Sequence, residues 1–138
     1  MLYFSEEKKL LKKLSLENLG LNQLQDLVLS GETRQEQWRR KQLNALSNLL
    51  EDYQQEILNA LREDLRKPPT EAFFEIIAIK QEIKLAQKKL SNWMQAKQIN
   101  VPVSLRPAKA FVQPDPLGCI LIIGPWNYPF SLTLQPLV

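Results

Sequence analysis

Hydrophobic residues recur at helical spacing between residues 33 and 66, the most regular pattern in the chain. Thr33 and Glu36 form a T-x-x-E capping box, which predicts a helix that begins at Thr33. Apolar side chains then fall on one helical stripe, at steps of three and four: Leu43, Leu46, Leu50, Tyr53, Ile57, Leu61 and Leu65. The helix is expected to end at Lys67-Pro68-Pro69, because proline lacks the N–H that a helix interior needs.

A second amphipathic helix is predicted from Thr70. Its apolar positions again follow at steps of three and four: Ile76, Ile79, Ile83, Ala86, Leu90 and Trp93. Two long amphipathic helices joined by a tight corner are expected to pack together or against a shared core. Shorter helices are predicted over residues 5–14 and 22–30, and Gly31 is expected to end the latter as a left-handed cap.

The chain changes character near residue 100, from charged and helical to apolar and extended. Seven of the nine prolines lie beyond this point. Residues 101–105 and 109–113 are predicted to be short extended segments on either side of Pro107. Residues 119–123 are five consecutive apolar residues between two glycines, which indicates a strand buried on both faces of a parallel sheet.

Composition limits the chemistry that the chain can perform. The 138 residues include no histidine and one cysteine, which excludes Ser/His/Asp triads, Cys/His dyads and a structural zinc site, so no metal site is expected. The net charge of +3 is too small to indicate a nucleic-acid partner. The single thiol, with no secretory signal and no apolar run long enough to span a membrane, favours a cytoplasmic location.

The basic run KKLLKK at residues 8–13 allows two interpretations. As an amphipathic segment, it would contact a membrane surface or an acidic partner. As an ordinary helix, it would expose its lysines and pack its leucines inward. We favour the second interpretation, because so short a segment has little apolar area to bury in a membrane.

The loop that follows residues 119–123 is the best candidate for a functional site. Pro129 is suited to the first position of a new helix, so this region is predicted to be a strand, loop and helix unit. Ligands of open α/β sheets bind outside the carboxyl ends of the strands, which is where Trp126 and Asn127 lie. The alternative is a core strand followed by a packed loop with a buried Trp126, and spacing alone favours neither.

Residues 116–129, with the sequence PLGCILIIGPWNYP, closely resemble the strand and loop that open the cofactor-binding domain of the NAD(P)-dependent aldehyde dehydrogenases. The P-W-N-[YF]-P core is specific. Upstream, residues 30–34 (SGETR), 39–43 (RRKQL) and 60–67 (ALREDLRK) resemble the first long helix of the class 3-like, fatty-aldehyde branch. The resemblance covers about residues 24–138.

The resemblance implies an enzyme that oxidises aldehydes to carboxylic acids with NAD or NADP. In the family, a cysteine thiolate attacks the aldehyde, the thiohemiacetal gives its hydride to the nicotinamide, and a glutamate activates water. Asn127 matches the asparagine whose side-chain N–H₂ binds the developing oxyanion. Ile123, Gly124, Pro125 and Trp126 match residues that line the nicotinamide side of the cofactor groove.

The same resemblance implies a fold and partners. The fold is expected to be α/β, with N-terminal helices followed by the first strands of a truncated, Rossmann-like cofactor-binding domain. The expected segments are a short helical extension (1–32), two long amphipathic helices (33–99) and an incomplete dinucleotide-binding domain (100–138). The substrate would be a small-molecule aldehyde. The parent enzyme would be a homodimer, since residues 101–113 resemble part of a strand pair used in subunit contact.

Several functional residues of the family have no match before Val138: the cysteine nucleophile, the glutamate base, the ribose-binding lysine and the glycine turn near the pyrophosphate. Cys119 lies within the predicted strand, where a small buried hydrophobe is expected and not a nucleophile. We therefore expect the N-terminal portion of such an enzyme, from a truncated or interrupted reading frame.

Such a portion is expected to lack dehydrogenase activity by itself and to unfold without a sharp cooperative transition, apart from local helix in residues 33–94. An unpaired apolar strand at residues 119–123 would also favour aggregation. Two alternatives derive from a dehydrogenase but perform another task. One is a stand-alone helical interaction module built on residues 33–94, and the other is a membrane-surface module led by residues 8–13.

Overall fold

The computed structural model describes residues 20–138, in which a group of helices precedes a small sheet and a short final helix. The helices and strands are α1 (Leu21–Leu29), α2 (Glu36–Asp52), α3 (Gln54–Leu65), α4 (Pro69–Met94), β1 (Lys97–Ile99), β2 (Ala110–Val112) and α5 (Ser131–Leu134). Short 3₁₀ helices lie at Glu32–Arg34 and Val103–Leu105.

Helix α1 confirms the helix predicted over residues 22–30, with its bounds shifted by one residue. Gly31 follows in the left-handed conformation, with φ of 79°, and its N–H bonds to the carbonyl oxygen of Val28 at 3.1 Å. A Cβ disfavours this conformation, which accounts for the glycine. The helix predicted over residues 5–14 and the basic run at residues 8–13 lie outside the described residues.

The predicted capping box at Thr33 is wrong. Glu32–Arg34 forms a 3₁₀ helix, and α2 begins at Glu36 without a side-chain cap. The Glu36 carboxylate instead accepts hydrogen bonds from the Arg40 guanidinium at 2.8 Å and from the Ser91 hydroxyl at 2.6 Å. Because Ser91 belongs to α4, one carboxylate joins two helices. The bond from Ser91, together with those from Arg40, lowers the pKa of Glu36 below its ordinary value.

The single helix predicted over residues 33–66 is divided at Tyr53. The backbone of Tyr53, with φ of −108° and ψ of 19°, lies outside the helical region, although its carbonyl oxygen accepts a bond from the Ile57 N–H at 3.0 Å. Leu50 and Leu61, on either side of the break, are both buried, whereas Tyr53 is exposed. The apolar stripe is therefore kept across the break, except at Tyr53.

Helix α4 forms the centre of the core and is largely as predicted. The buried cluster joins its stripe to α2: Leu43, Leu50, Ile76, Ile79, Ile83, Ala86 and Leu90. Trp93, the last residue of the predicted stripe, is exposed instead. Phe130, Leu134 and Val138 pack against the same cluster, so the end of the chain that contains α5 is attached to the helices.

The predicted corner between the long helices is confirmed. Helix α3 ends at Leu65, Arg66 takes the left-handed conformation with φ of 52°, and α4 begins at Pro69. Lys67 lies inside this corner and is buried, with 9% of its surface exposed. The corner thus buries the Lys67 ammonium at the junction of α3 and α4.

Strands β1 and β2 form an antiparallel pair in which Gln98 lies opposite Phe111. Strand β2 confirms the extended segment predicted over residues 109–113. The segment predicted over residues 101–105 is wrong, because Val103–Leu105 is a 3₁₀ helix and the strand that pairs with β2 precedes it.

The buried strand predicted over residues 119–123 is also wrong. This segment is irregular, and Leu121 and Ile123 are 85% and 84% exposed. An apolar run becomes a buried strand only where neighbouring strands supply backbone partners and helices cover its faces. Within residues 20–138 the only sheet is the β1–β2 pair, which does not include this segment. Cys119 is exposed as well, so the prediction of a buried cysteine is wrong.

Candidate active-site loop

The predicted site residues lie on one loop, residues 123–130, which we call the site loop. Asn127 lies near its middle and is exposed. Helix α5 begins at Ser131, two residues after the predicted start at Pro129. The Leu132 N–H bonds to the carbonyl oxygen of Tyr128 at 3.1 Å, so the end of the site loop already has the hydrogen bonding of a helix.

The Glu75 carboxylate holds this end of the site loop. Its Oε2 accepts hydrogen bonds from the backbone N–H groups of Phe130, at 3.1 Å, and Ser131, at 3.0 Å. The first N–H groups of a helix have no partner within the helix, so the carboxylate satisfies donors that would otherwise lack one. Glu75 belongs to α4 and is 2% exposed. The loop is therefore bonded to the centre of the core.

Lys67 and Glu75 together form what we call the anchor of the site loop. The Lys67 ammonium bonds to Oε1 of Glu75 and lies 3.8 Å from the centroid of the Tyr128 ring. Burying a carboxylate is costly unless it is paired and hydrogen-bonded, and both of its oxygens have partners here. An ammonium close to an aromatic ring adds a cation–π attraction. One buried ion pair thus contacts the site loop on both sides of Pro129.

The residues before Asn127 present an apolar surface. Ile123 and Trp126 are largely exposed, and neither is charged. Trp126 also lines a cleft of about 450 Å³ between α3 and the site loop. The other lining residues are Ile57, Ala60, Leu61, Asp64, Leu65, Pro129 and Phe130. Of the five predicted site residues, Trp126 is the one that lines this cleft. Because Trp126 is largely exposed, the alternative of a buried Trp126 does not hold.

Gly124 has a packing role within the chain. A Cβ at this position would overlap the hydroxyl of Thr133 in α5. The site loop therefore passes so close to α5 that only glycine fits without a shift of one segment. This contact is a structural reason for the glycine, in addition to the expected place in a cofactor groove.

The predicted cofactor residues fit one end of a dinucleotide. Ile123, Gly124, Pro125 and Trp126 offer apolar, uncharged and exposed surface, which suits the face of a nicotinamide ring. Residues 117–134 contain no Lys or Arg, so this segment has no cation for the phosphate groups. The segment thus fits the nicotinamide side of NAD or NADP and not the pyrophosphate.

Sequence reasoning missed Lys67 and Glu75. Glu75 lies three residues after Ala72 and four before Ile79, so it falls on the buried stripe of α4. A carboxylate on an apolar stripe indicates a buried partner, and this pattern was available in the sequence. The N–H groups of the site loop were not, because they lie 55 and 56 residues away, and nothing in the sequence singles out Lys67 as the cation that pairs with Glu75.

Residues 20–138 contain no group of three or more His, Cys, Asp or Glu side chains placed to hold a metal ion. Over the same residues, no helix combines the length and hydrophobicity that a bilayer crossing needs. Every buried side-chain nitrogen or oxygen atom in this part of the chain has a hydrogen-bond partner.

Known proteins resemble most of this chain. The mouse aldehyde dehydrogenase family 3 member B1 is 41% identical over 119 residues, which are 86% of this chain and 25% of that protein. The 4,4'-diaponeurosporen-aldehyde dehydrogenase of Staphylococcus aureus is 40% identical over 108 residues, which are 78% of this chain and 24% of that protein. The chain therefore spans about a quarter of the length of these curated relatives.

A solved structure agrees with the sequence relatives. The substrate-bound state of Staphylococcus aureus AldH matches with a TM-score of 0.85 at 34% identity, over 90% of this chain and 27% of that chain. This match confirms the predicted α/β fold class, although residues 119–123 do not form a strand here. The family model described as the aldehyde dehydrogenase family matches residues 31–138. A match over most of the chain, with relatives at about 40% identity, shows that this protein belongs to the aldehyde dehydrogenase family.

Proposed function

We propose that this chain supplies the oxyanion-binding part of an enzyme that oxidises aldehydes to carboxylic acids with NAD or NADP. One observation carries the proposal. Asn127 is exposed on the site loop, and the backbone N–H groups of Phe130 and Ser131, which follow it, bond to the buried Glu75. The exposed amide is accessible to a substrate. The anchored loop limits the motion that would weaken a preorganised donor.

The role of Asn127 follows from the chemistry of a carboxamide. When a nucleophile attacks an aldehyde, the carbonyl oxygen gains negative charge, and the Asn127 side-chain N–H donates a hydrogen bond to that oxygen. An amide does not titrate, so it remains a donor over the whole pH range in which the protein is folded. One preorganised donor of this kind lowers the barrier by about 3 kcal/mol.

The residues before Asn127 would hold the nicotinamide side of the cofactor. Ile123, Pro125 and Trp126 would form an apolar wall, and Gly124 would let the loop lie close to α5. A bound NAD or NADP supplies the hydride acceptor of the reaction. The task of these side chains is to orient the ring and to exclude water beside Asn127.

The class of substrate is proposed from the relatives. The Staphylococcus aureus relative carries the name of a 4,4'-diaponeurosporen-aldehyde, and the chain also resembles the fatty-aldehyde branch of the family. We propose an aldehyde with an apolar chain as the substrate of the whole enzyme. A homodimer in the cytoplasm is the proposed setting, on the basis of residues 101–113 and the single cysteine.

The test replaces the matching quarter of the Staphylococcus aureus 4,4'-diaponeurosporen-aldehyde dehydrogenase with residues 31–138 of this chain. In this chimera, Asn127→Ala is expected to lower kcat about 100-fold and to leave the KM for the cofactor nearly unchanged, because the lost bond forms with the reacting oxygen. The rise in absorbance of the reduced nicotinamide, with an apolar aldehyde as the substrate, measures both constants.

Asn100→Ala is the matched control, since Asn100 is an exposed asparagine outside the site loop. Its kcat should equal that of the unmodified chimera. The 138-residue chain by itself should show no activity. An unchanged kcat in Asn127→Ala would contradict the oxyanion role of Asn127. Reduction of the cofactor by the chain alone would contradict the proposal that this chain supplies the oxyanion-binding part of a larger enzyme.

A helical interaction module is the second candidate function. Phe73 and Phe74 of α4 are 41% and 61% exposed, and adjacent exposed aromatic side chains are common at protein interfaces. A chimera that folds but has no activity with any aldehyde, together with a binding partner lost in Phe74→Ala, would favour this candidate. The membrane-surface alternative rests on residues 8–13, outside the described structure.

A further inference from the structure

The buried pair of Lys67 and Glu75 contacts the site loop but has no part in the chemistry assigned to Asn127. Three contacts reach the loop and the start of α5: the Lys67 ammonium over the Tyr128 ring, and the N–H groups of Phe130 and Ser131 on the Glu75 carboxylate. Both side chains of the pair are at least nine-tenths buried.

Stability alone does not require an ion pair at this place. A buried ion pair is often no more stabilising than apolar side chains of the same volume, because both ions lose their hydration. Apolar residues at positions 67 and 75 would extend the core between α3, α4 and α5. They would supply no acceptor for the two backbone N–H groups, which are the contacts that fix the loop.

The spacing of the contacts concentrates their effect on Asn127. Tyr128, held by Lys67, is the next residue, and Phe130, held by Glu75, follows two residues later. Pro129, between them, has a fixed φ angle. The chain from Asn127 to the anchor is therefore short and stiff, so a displacement of the anchor is transmitted to the amide.

We propose that Glu75 and Lys67 are positioning residues, which hold the Asn127 amide in place through the backbone of residues 128–131. This inference rests on the proposed function of Asn127. The residues act through the loop and touch neither substrate nor cofactor. Their removal should misplace the donor, and a displacement of about 1 Å can lower turnover up to about 100-fold.

The first test measures amide hydrogen exchange in the full 138-residue chain. The variant Lys67→Met combined with Glu75→Leu replaces the pair with apolar side chains of similar size. The amides of Phe130 and Ser131 should exchange about tenfold faster than in the unmodified chain, because they lose their acceptor. Amides within α2 and α4 should exchange at unchanged or slower rates, because the core remains filled.

The Glu36 network provides the matched control. Glu36 and Ser91 form a carboxylate hydrogen bond between α2 and α4 that does not involve the site loop. Glu36→Gln should leave the exchange of Phe130 and Ser131 unchanged.

The second test measures kinetics in the chimera with the Staphylococcus aureus relative. The double variant should lower kcat at least about tenfold, with little change in the KM for the cofactor and a loss of thermal stability no larger than that of Glu36→Gln. Glu36→Gln should leave kcat unchanged. A merely structural role would make kcat follow thermal stability in both variants.

The proposal is overturned if Phe130 and Ser131 exchange in the unmodified chain as fast as the exposed Leu117 and Leu121. It is also overturned if the double variant keeps both the slow exchange and the full kcat. Loss of folding in the double variant would itself contradict the argument that apolar side chains fill these positions. If the loop loosens but Asn127→Ala keeps full activity, the anchor stands and the proposed function of Asn127 fails.

Discussion

Two carboxylates at buried or half-buried positions connect segments that are far apart in the sequence. Glu36 joins α2 to α4 through Ser91, and Glu75 joins α4 to the site loop. The T-x-x-E pattern assigned Glu36 to a local cap, which the structure does not contain. The pattern failed because a carboxylate bonds to the best donors within reach, and here these are the Arg40 guanidinium one turn along α2 and the Ser91 hydroxyl of α4.

Glu36 predicts a pH dependence of stability. Its pKa is lowered in the folded state, so its contribution to stability is complete above the ordinary pKa of a glutamate and is lost as the pH falls through the lowered value. Glu36→Gln should therefore lower the urea midpoint of the helical circular dichroism signal at neutral pH. The difference from the unmodified chain should shrink at a pH below the lowered pKa, where Glu36 is protonated in both states.

Glu51→Gln, on the exposed face of the same helix, is the control for this measurement. It should shift the free energy of unfolding by no more than about 0.5 kcal/mol at neutral pH. A difference between Glu36→Gln and the unmodified chain that stays constant from neutral to strongly acidic pH would contradict the assigned hydrogen bonds.

At the level of elements, helices with a long periodic pattern were predicted well and short apolar runs were not. The stripe of α4 is buried as expected, because the same residues meet the core at every turn. Residues 119–123 have a clear apolar pattern but no strand beside them among the described residues, and a strand exists only by pairing. The capping glycine and the Pro-Pro corner were predictable because each acts through its own backbone.

Ile79 tests the packing of α4 directly. Ile79 has none of its surface exposed, so Ile79→Ala removes buried methyl groups and leaves a cavity in the buried cluster. We expect a loss of about 2–5 kcal/mol in the free energy of unfolding, measured by urea denaturation followed by far-ultraviolet circular dichroism. Leu85→Ala, at an exposed position of the same helix, should cost less than about 1 kcal/mol. Equal losses in the two variants would mean that Ile79 is not in the core.

Residues 20–138 combine a packed helical unit with an apolar segment that no other element in this range covers. Phe130, Leu134 and Val138 extend the helical unit towards the end of the chain. Between them and β2, Leu117, Leu121 and Ile123 are among the most exposed large hydrophobic side chains of the described residues. Contiguous exposed apolar surface of this kind favours association.

The chain by itself is therefore expected to self-associate through residues 117–123. Leu121→Asp should reduce the weight-average mass in sedimentation equilibrium at a given concentration and should leave the helical circular dichroism signal unchanged, because Leu121 is 85% exposed and does not pack in the core. Leu105→Asp, at an exposed position in the connection between β1 and β2, is the control and should have a smaller effect. A chain that sediments as a monomer at all concentrations would contradict this prediction.

The sequence alone determined the helical character of residues 36–94 apart from the break at Tyr53, the corner at Pro68 and Pro69, the family and the candidate amide at position 127, since each of these depends on local spacing or on a short motif. Only the tertiary structure showed that Glu75 and Lys67 hold the loop that carries Asn127, that Glu36 bonds to Ser91, and that Gly124 lies against Thr133. The physical reason is that a buried charge needs a partner but does not specify which one. That choice is made by the packing of segments about 55 residues apart along the chain, which no local pattern encodes.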